Sequence, residues 1–229
     1  MNVTGGFGVF MHEKKQFVVS YSGGKDSTLA LYHMLKTAQP VGLIMMLEEE
    51  GQRSRSHGMD MAVIQAQAQS LGLPVISAAS GWGDYESHFM DLLQQSKQLG
   101  AEMLVTGDLD VPEHESWHEK VAAQADLKLC MPLKNRGHRE VVDEFIALGF
   151  VALVVTVNLS LGMRASDLGR AFTAELVCEL EERGIDPCGE GGEFHTTVVD
   201  GPIFATPIEV VKEAVVYHGE YAFMPLGLG

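Results

Sequence analysis

The stretch from Ser22 to Ser27, which reads SGGKDS, combines residue types that can bind a phosphate group. Gly23 and Gly24 let the backbone approach an anion closely, and Lys25 adds a full positive charge. A run rich in β-branched residues precedes the stretch and a helical pattern follows it, so its backbone N–H groups lie at a helix start. The sequence therefore predicts a phosphate-binding loop, to which the serine hydroxyls contribute further donors.

This loop differs from two common nucleotide-binding motifs. The P-loop requires glycine at the position of Val19 and serine or threonine at the position of Asp26. The G-x-G-x-x-G pattern of dinucleotide-binding folds is also absent from the sequence. The simpler alternative is a tight strand-to-helix turn whose lysine is only solvated. The position of the loop at the end of a strand favours phosphate binding over that alternative.

A second stretch, CGEGGEFHTTVVDGPIF, presents two carboxylates on a glycine-rich loop that begins at Cys188. Glu190 and Glu193 on such a loop suit a metal ion, an ammonium, a cationic substrate or a role as general base. The residues that follow predict a strand closed by a turn at Asp200 and Gly201. A surface hairpin with solvated acids is the alternative, and the presence of the first loop in the same chain favours the functional interpretation.

Residues His114 to His118, HESWH, match the H-E-x-x-H pattern in which two histidines one helical turn apart share a zinc ion. Pro112 places the match at the start of a short polar helix, and no third ligand stands at a telling spacing. A metalloprotease is therefore disfavoured. We expect the purified protein to hold no stoichiometric zinc.

The elements that must position these residues alternate along the first part of the chain. Continuously apolar runs of strand length precede segments of helical period, which is typical of a parallel sheet with helices on both faces. The runs FVVSY, VGLIMML, LPVISA and AEMLVTG precede helices predicted at 27–36, 59–71, 84–99 and 113–126. In an open sheet of this kind, ligands bind at the carboxyl ends of the strands.

The order of elements changes near residue 135. Beyond it the patterns predict a helix at 138–148, a strand at 150–157, a helix at 165–183, the glycine-rich loop and a β-rich tail. We therefore predict an α/β fold of two domains. Residues 1–135 form the larger domain with the parallel sheet, and residues 136–229 form a smaller α+β domain.

Composition and charge exclude several classes of function. Lysine and arginine total 16 against 31 aspartate and glutamate residues, so the net charge of −15 disfavours nucleic acid as a partner. The cysteines Cys130, Cys178 and Cys188 form no C-x-x-C pair, which predicts neither a disulfide framework nor a zinc ribbon. Apolar runs fall far short of the roughly 20 residues of a membrane helix, and no signal-peptide pattern opens the chain. We expect a cytoplasmic protein without a membrane partner.

SGGKDS resembles the pyrophosphate-binding loop, or PP-loop, of the ATP pyrophosphatases in the adenine nucleotide alpha hydrolase-like superfamily. Together with HGMDMAVIQAQAQSLGLP and DPCGEGGEFHTTVVDGPIF, it makes the chain similar to the diphthine–ammonia ligase family and its prokaryotic relatives, called N-type ATP pyrophosphatases. The resemblance extends from Phe17 to Phe204, and the second signature is more specific than the first.

The resemblance implies an enzyme, its cofactors and its partners. It implies a Rossmann-like ATP-binding domain and a smaller C-terminal domain that binds the acceptor. The family's reaction joins ammonium to a carboxylate of the modified histidine of elongation factor 2, with ATP converted to AMP and pyrophosphate. ATP, magnesium and ammonium are therefore expected, with elongation factor 2 as acceptor in an archaeal or eukaryotic source and another carboxylate, on a protein or a small molecule, elsewhere. Homodimerisation stays open.

The resemblance also implies which residues form the site. The nucleotide side comprises Ser22, Gly23, Gly24, Lys25, Asp26, Ser27, His57, Gly107 and Asp108. Lys25 is expected against the β and γ phosphates, and Asp26 is expected to orient the loop or hold magnesium. Glu190 and Glu193 are expected to face the acceptor. With Lys25 and Asp26 they are the predicted catalytic residues.

Two rivals to this interpretation stay open from sequence. A PP-loop enzyme that modifies transfer RNA would share the first signature, although the missing cysteine pair and the net charge of −15 disfavour it. A sensor that binds an adenine nucleotide without turnover would share the fold. The chain departs from the family pattern at Lys134, where many relatives carry tryptophan.

Overall fold

The computed structural model describes residues 14–55 and 57–229, and a five-stranded parallel sheet forms the centre of the first part. Its strands run in the spatial order β3-β2-β1-β4-β5. They are β1 (Gln16–Ser20), β2 (Gln39–Leu47), β3 (Val75–Ala79), β4 (Met103–Val105) and β5 (Lys128–Cys130). The predicted parallel sheet is confirmed.

Helices cover both faces of this sheet. Successive residues of β1 point to opposite faces, so Phe17 and Val19 pack in one buried cluster and Val18 packs in another. The first cluster includes residues of α1 and α2, and the second includes residues of α3 and α4. These helices are α1 (Lys25–Leu35), α2 (Met61–Leu71), α3 (Tyr85–Gln98) and α4 (Pro112–Gln124). The predicted α/β, Rossmann-like architecture is confirmed.

An antiparallel sheet dominates the second part of the chain. Its four strands run in the order β7-β6-β10-β9, and β8 pairs with β11 in a separate two-stranded sheet. The strands are β6 (Val151–Asn158), β7 (Phe194–Asp200), β8 (Val210–Lys212), β9 (Val216–His218), β10 (Tyr221–Phe223) and β11 (Leu226–Leu228). Two helices accompany them, α5 (His138–Ala147) and α6 (Ala174–Glu182).

The helix predicted over residues 165–183 is wrong in its first half. A short 3-10 turn spans Ala165–Asp167, and Gly169 then adopts a left-handed conformation with φ of 71°. Ala171 pairs with Leu153 in an antiparallel bridge, which requires an extended backbone. Helix α6 begins only after Thr173, whose hydroxyl accepts a hydrogen bond from the N–H of Leu176. Pairing with β6 thus overrides the helical pattern.

One buried apolar cluster continues across the predicted domain boundary. It joins Phe17, Leu29 and Leu133 of the first part with Phe145 and Phe194 of the second. The division into residues 1–135 and 136–229 therefore stays a prediction. No helix in the part of the chain that the structure describes is long and apolar enough to span a bilayer.

Candidate functional site

The predicted phosphate loop joins the end of β1 to the start of α1, at the carboxyl edge of the parallel sheet. The hydroxyls of Ser22 and Ser27 lie 3.1 Å apart, and the Ser27 hydroxyl accepts a hydrogen bond from the Ser22 N–H at 3.3 Å. The Ser22 hydroxyl in turn accepts from the N–H of Gly24. The two serines therefore brace the loop internally while they also line a cavity.

Glycine is required in this loop because segments from both parts of the chain pack against it. A Cβ atom at Gly24 would lie 2.5 Å from Cε1 of His57 and 3.0 Å from the carbonyl oxygen of Thr196. Gly23 has a φ of 78°, and its carbonyl accepts hydrogen bonds from the Gln67 amide and from the N–H of Val198. Close packing, and not only close approach to an anion, thus explains both glycines.

Lys25 is buried at the bottom of the loop. Its ammonium lies 2.8 Å from Oδ2 of Asp26, donates to the carbonyl of Cys188 and sits 5.4 Å from the centre of the Phe194 ring. Burial disfavours the charge, but the adjacent Asp26 carboxylate outweighs it and holds the pKa of Lys25 above its ordinary value. Lys25 is therefore a charged group, and the carbonyl that fixes it comes from the second signature.

Gly107 and Asp108 follow β4 and lie against the start of α1. A Cβ atom at Gly107 would lie 2.6 Å from the backbone nitrogen of Ser27, so glycine lets the two segments meet. Asp108 accepts a hydrogen bond from His114 at 3.1 Å and lies 3.5 Å from Nδ1 of His118. Burial raises the pKa of Asp108, but the two histidines oppose that effect, and the net shift of the pKa is downward.

The two histidines of the H-E-x-x-H match therefore both face Asp108, and His114 is hydrogen-bonded to it. Glu115, the acid of that motif, pairs instead with Lys134. No group of three or more potential metal ligands is found among residues 14–55 and 57–229. The motif thus supplies two imidazoles to the cavity wall beside the predicted site residue Asp108.

Glu190 lines the same cavity as the phosphate loop. Burial raises the pKa of Glu190 to about 7, and the nearby carboxylates of Asp26 and Asp108 add to the shift. Because this pKa lies near neutrality, the carboxyl can take up or release a proton under ordinary conditions. Asp186 holds the backbone of this segment by accepting from the N–H groups of Cys188 and Glu190.

Glu193 does not belong to the lining of this cavity. Its side chain folds over Gly191, where an added Cβ would meet Glu193 Oε1 at 2.8 Å. Its Oε2 is buried and has no hydrogen-bond partner in the described part of the chain. The structure thus separates the two predicted carboxylates, and the role of Glu193 stays a prediction.

His57 lines the cavity as one member of a histidine pair. The rings of His57 and His195 stack with centres 4.5 Å apart and planes 18° apart. Nδ1 of His57 lies 3.0 Å from the Thr196 carbonyl and donates to it. Burial lowers the pKa of His57 well below its usual value and that of His195 to about 4. Both imidazoles are therefore neutral at pH 7.

Sequence analysis missed His195 and Thr196, although both stand inside the second signature. The hydroxyl of Thr196 accepts a hydrogen bond from the N–H of Lys25 at 3.1 Å, and His195 lines the cavity. Four further wall residues were also missed: Arg55, Trp82, Tyr85 and Trp117. They come from the loops after β2 and β3 and from helices α3 and α4, where no recognised motif marks them.

The cavity that these residues line has a volume of about 680 Å³. Small-molecule sites commonly have volumes of about 300–1,000 Å³. The phosphate loop and the Gly107–Asp108 segment form one wall, and residues 188–196, which contact Lys25 through Cys188 and Thr196, form a second wall. The arrangement can hold an anion at a helix start and place a titratable carboxyl beside it.

Two family models match the chain. The model described as diphthamide synthase N-terminal domain matches residues 15–129, and the model described as diphthamide synthase C-terminal domain matches residues 138–227. These matches contain the phosphate loop and the Glu190 loop, respectively.

Curated relatives and a solved structure are also similar. A diphthine–ammonia ligase of Schizosaccharomyces pombe is 26% identical over 89% of this chain and 38% of its own length. The enzyme of the same name from Danio rerio is 27% identical over 90% of both chains, and that of Mus musculus is 24% identical over 90% of this chain and 86% of its own. A structure described as a predicted tRNA methyltransferase subunit from Methanocaldococcus jannaschii aligns with a TM-score of 0.46 and 17% identity, over 81% of this chain and 97% of that one.

This chain therefore spans about 38% of the length of the fission yeast relative, whereas it spans most of the two vertebrate ones. The prediction of an ATP-dependent ligase is confirmed at the level of the family. Since the two models together cover nearly the whole described chain, this protein belongs to the diphthamide synthase family.

Proposed function

We propose that this protein is an ATP-dependent amide ligase that adenylates a carboxylate, releases pyrophosphate and then amidates the carboxylate with ammonia. The observation that carries the proposal is that the phosphate loop and Glu190 line one cavity. An anion-binding loop next to a carboxyl of pKa about 7 suits a reaction that couples a nucleotide with a proton-releasing nucleophile.

The nucleotide is bound on the phosphate-loop wall. The positive end of α1 and the charge of Lys25 stabilise the triphosphate, because both attract the negative phosphate oxygens. The Ser22 and Ser27 hydroxyls already order the loop, so its conformation is present before ATP arrives. This preorganisation lowers the entropic cost of binding.

Asp26 is the proposed magnesium ligand. Its Oδ1 is buried and has no hydrogen-bond partner in the described part of the chain, while Oδ2 is paired with Lys25. Magnesium prefers oxygen ligands and commonly takes one or two protein carboxylates together with phosphate oxygens. When bound, the ion neutralises charge on the phosphates. Asp26 fits that role because one carboxylate oxygen is left over.

The reaction proceeds in two steps. A carboxylate oxygen of the acceptor bonds to the α-phosphorus of ATP, and the bond from that phosphorus to the bridging oxygen breaks, so pyrophosphate leaves. Ammonia then attacks the acyl carbon, and the bond to AMP breaks. The attacking nitrogen must lose a proton, and Glu190 takes it, because a base of pKa about 7 is half ionised near neutral pH.

The proposed acceptor is diphthine, the modified histidine of elongation factor 2, as the names of the curated relatives suggest. Diphthine carries the carboxylate that the reaction requires, and ammonia completes the amide. The wall formed by residues 188–196 lines the same cavity as the phosphate loop, so an acceptor carboxylate in this cavity would lie next to both the nucleotide and Glu190.

The substitution Glu190→Gln tests this proposal. It should keep ATP affinity within about three-fold and lower acceptor-dependent AMP formation by about 100-fold or more, the usual contribution of a general base. Affinity is measured by calorimetry, and the products of radiolabelled ATP are separated as AMP and pyrophosphate or ADP and phosphate. The rate of the parent should rise as the pH passes through about 7, since the base acts when ionised. Glu190→Gln should lack that rise.

The exposed Glu182 on α6 provides a matched control, and Glu182→Gln should change neither quantity. Release of ADP and phosphate by the parent would contradict the proposed reaction. Loss of ATP binding in a folded Glu190→Gln variant would assign this carboxyl to the nucleotide site instead.

A further inference from the structure

The cavity wall carries a cation that the described part of the chain leaves without a partner. The side chain of Arg55 lines the cavity, and its Nε is buried without a hydrogen bond among residues 14–55 and 57–229. Within the same ranges its guanidinium forms no ion pair, whereas the neighbouring Arg53 at least reaches the carbonyl of Gly58. Leaving such donors unpaired is costly, so a ligand that accepts from them would bind favourably.

Other basic groups that line the cavity lie against acidic side chains. Lys25 is paired with Asp26 and donates to the carbonyl of Cys188. His114 and His118 both face Asp108. An anion that enters this cavity therefore finds the Nε–H donor of Arg55 still unpaired in the described part of the chain.

An exposed tryptophan holds Arg55 in place. The guanidinium carbon lies 4.6 Å from the centre of the Trp82 ring, a distance typical of a cation–π contact. Trp82 is 81% exposed and stands between Gly81 and Gly83, so burial does not explain its position. Its ring also stacks on Tyr85 at 6.1 Å between centres.

Stacking leaves the edge of a guanidinium available. All five N–H donors of arginine lie in the plane of the group, so a ring against its face does not compete with hydrogen bonds at its edge. The backbone of Arg55 is fixed as well, because its N–H donates to the carbonyl of Met46 at 3.2 Å. The side chain is thus oriented from both ends before any ligand is present.

We infer that Arg55, stacked on Trp82, forms an oxyanion subsite of the cavity, which binds either a phosphate group of the nucleotide or the carboxylate of the acceptor. Both ligands present two oxygens on one centre, which the guanidinium fork can bind with two parallel hydrogen bonds. The second possibility rests on the proposed function, and the first does not.

The test compares Arg55→Met with the matched variant Arg53→Met, two residues away and outside the cavity lining. Calorimetry measures the affinities for ATP, AMP and inorganic pyrophosphate. Steady-state kinetics measure the KM for elongation factor 2 that carries diphthine. Arg55→Met should lower the affinity for ATP, and for either AMP or pyrophosphate, ten-fold or more. Otherwise it should raise the KM for the acceptor by the same factor. Arg53→Met should change none of these values.

Two further variants separate the geometry of the subsite from its charge. Arg55→Lys keeps the charge but loses the fork and the stacked plane, so it should recover only part of the lost affinity. Trp82→Leu should change the same affinity or KM in the same direction by a smaller factor. Its melting temperature should stay unchanged, because the side chain is largely exposed.

The outcomes are decisive in each case. A loss confined to ATP and pyrophosphate assigns the β and γ phosphates, a loss shared with AMP assigns the α phosphate, and a raised acceptor KM alone assigns the carboxylate. Unchanged values for every ligand in folded Arg55→Met overturn the inference. If the parent shows no amidation, the proposed function fails and the three nucleotide ligands alone decide, with unchanged affinities overturning the subsite.

Discussion

The two walls of the cavity are built in different ways. The phosphate-loop wall is held by main-chain packing, since Gly24 and Gly107 admit neighbouring segments within contact distance and Lys25 is paired inside the wall. The second wall, residues 188–196, carries Glu190, whose charge changes near pH 7, and Asp186 just before it accepts from two of its backbone N–H groups.

This difference separates binding from chemistry. A wall whose donors and charges are fixed by packing offers ATP the same electrostatic environment at any pH near neutrality. A wall whose carboxyl titrates near neutrality can exchange a proton during the reaction. Substitutions in the first wall should therefore act on affinity, and changes in the second should act on rate and on pH dependence.

The largest effect is expected from Lys25→Ala, which removes the fixed charge of the phosphate-loop wall. ATP should bind about 100-fold more weakly, because charge-assisted hydrogen bonds to phosphate are lost; this factor corresponds to about 2.8 kcal/mol of binding free energy. The measurement is a calorimetric titration of the variant and the parent with ATP. Lys97→Ala, at an exposed pair with Asp126, should bind like the parent.

Lys25→Ala also leaves Asp26 buried without its partner, so a melting curve without ligand must accompany the titration. A folded Lys25→Ala variant with parental ATP affinity would break the comparison, because it would show that the charge of this wall does not hold the nucleotide.

A smaller effect is expected from Gly24→Ala, which tests the packing of the same wall. The added Cβ would lie 2.5 Å from Cε1 of His57, and such overpacking costs about 1–3 kcal/mol of unfolding free energy. ATP affinity should fall with it, since the loop must move. Gly137 precedes α5 as Gly24 precedes α1, but its Cβ would have only an ordinary 3.8 Å contact with Glu140. Gly137→Ala should stay within about 0.5 kcal/mol of the parent in urea unfolding.

Equal stability and ATP affinity for both alanine variants would mean that the loop tolerates displacement. The glycines would then matter for approach of the anion alone, as the sequence by itself suggested.

The parallel sheet and the phosphate loop could be predicted from sequence because their signals are local. Strands such as β2 are continuously apolar, and Lys25 stands next to two glycines at a strand end. The role of Gly24 against His57 could not be predicted, since it depends on which distant segment packs there. The same holds for the pairing of Ala171 with Leu153, which replaced half of a predicted helix.

The missed part of the site has no local signal either. Arg55 and Trp82 come from separate loops, and only the order of strands brings them together at one cavity. His195 was within reach, because it stands in the second signature two residues after Glu193. Its stacking on His57 required the fold that joins both halves of the chain.

A histidine ties the second wall to the parallel-sheet part, and it supplies the smallest expected effect. Nδ1 of His138 lies 2.7 Å from Asp186 Oδ1, and its Nε2 lies 3.1 Å from Asp110 Oδ2. Asp186 is the residue that accepts from the N–H of Glu190. Burial disfavours the charge of His138, but hydrogen bonds and charge from Asp186 and Asp110 raise its pKa overall.

The sign of the pH dependence follows from that raised pKa. The stabilisation that the charge of His138 contributes is complete below the ordinary histidine pKa of about 6.5 and is lost as the pH rises through the higher pKa of the folded protein.

His138→Asn keeps a donor toward Asp186 but cannot carry the charge. Its unfolding free energy should therefore differ from that of the parent by about 0.2–1 kcal/mol at pH 6, because the pair is partly exposed, and the difference should shrink with rising pH. The difference in unfolding free energy is measured by urea unfolding in a Glu190→Gln background. This background removes the titration of Glu190, whose charge interacts with that of His138. A difference that stays constant across this range would show that His138 acts through its shape alone, and the second wall would then owe its pH dependence to Glu190.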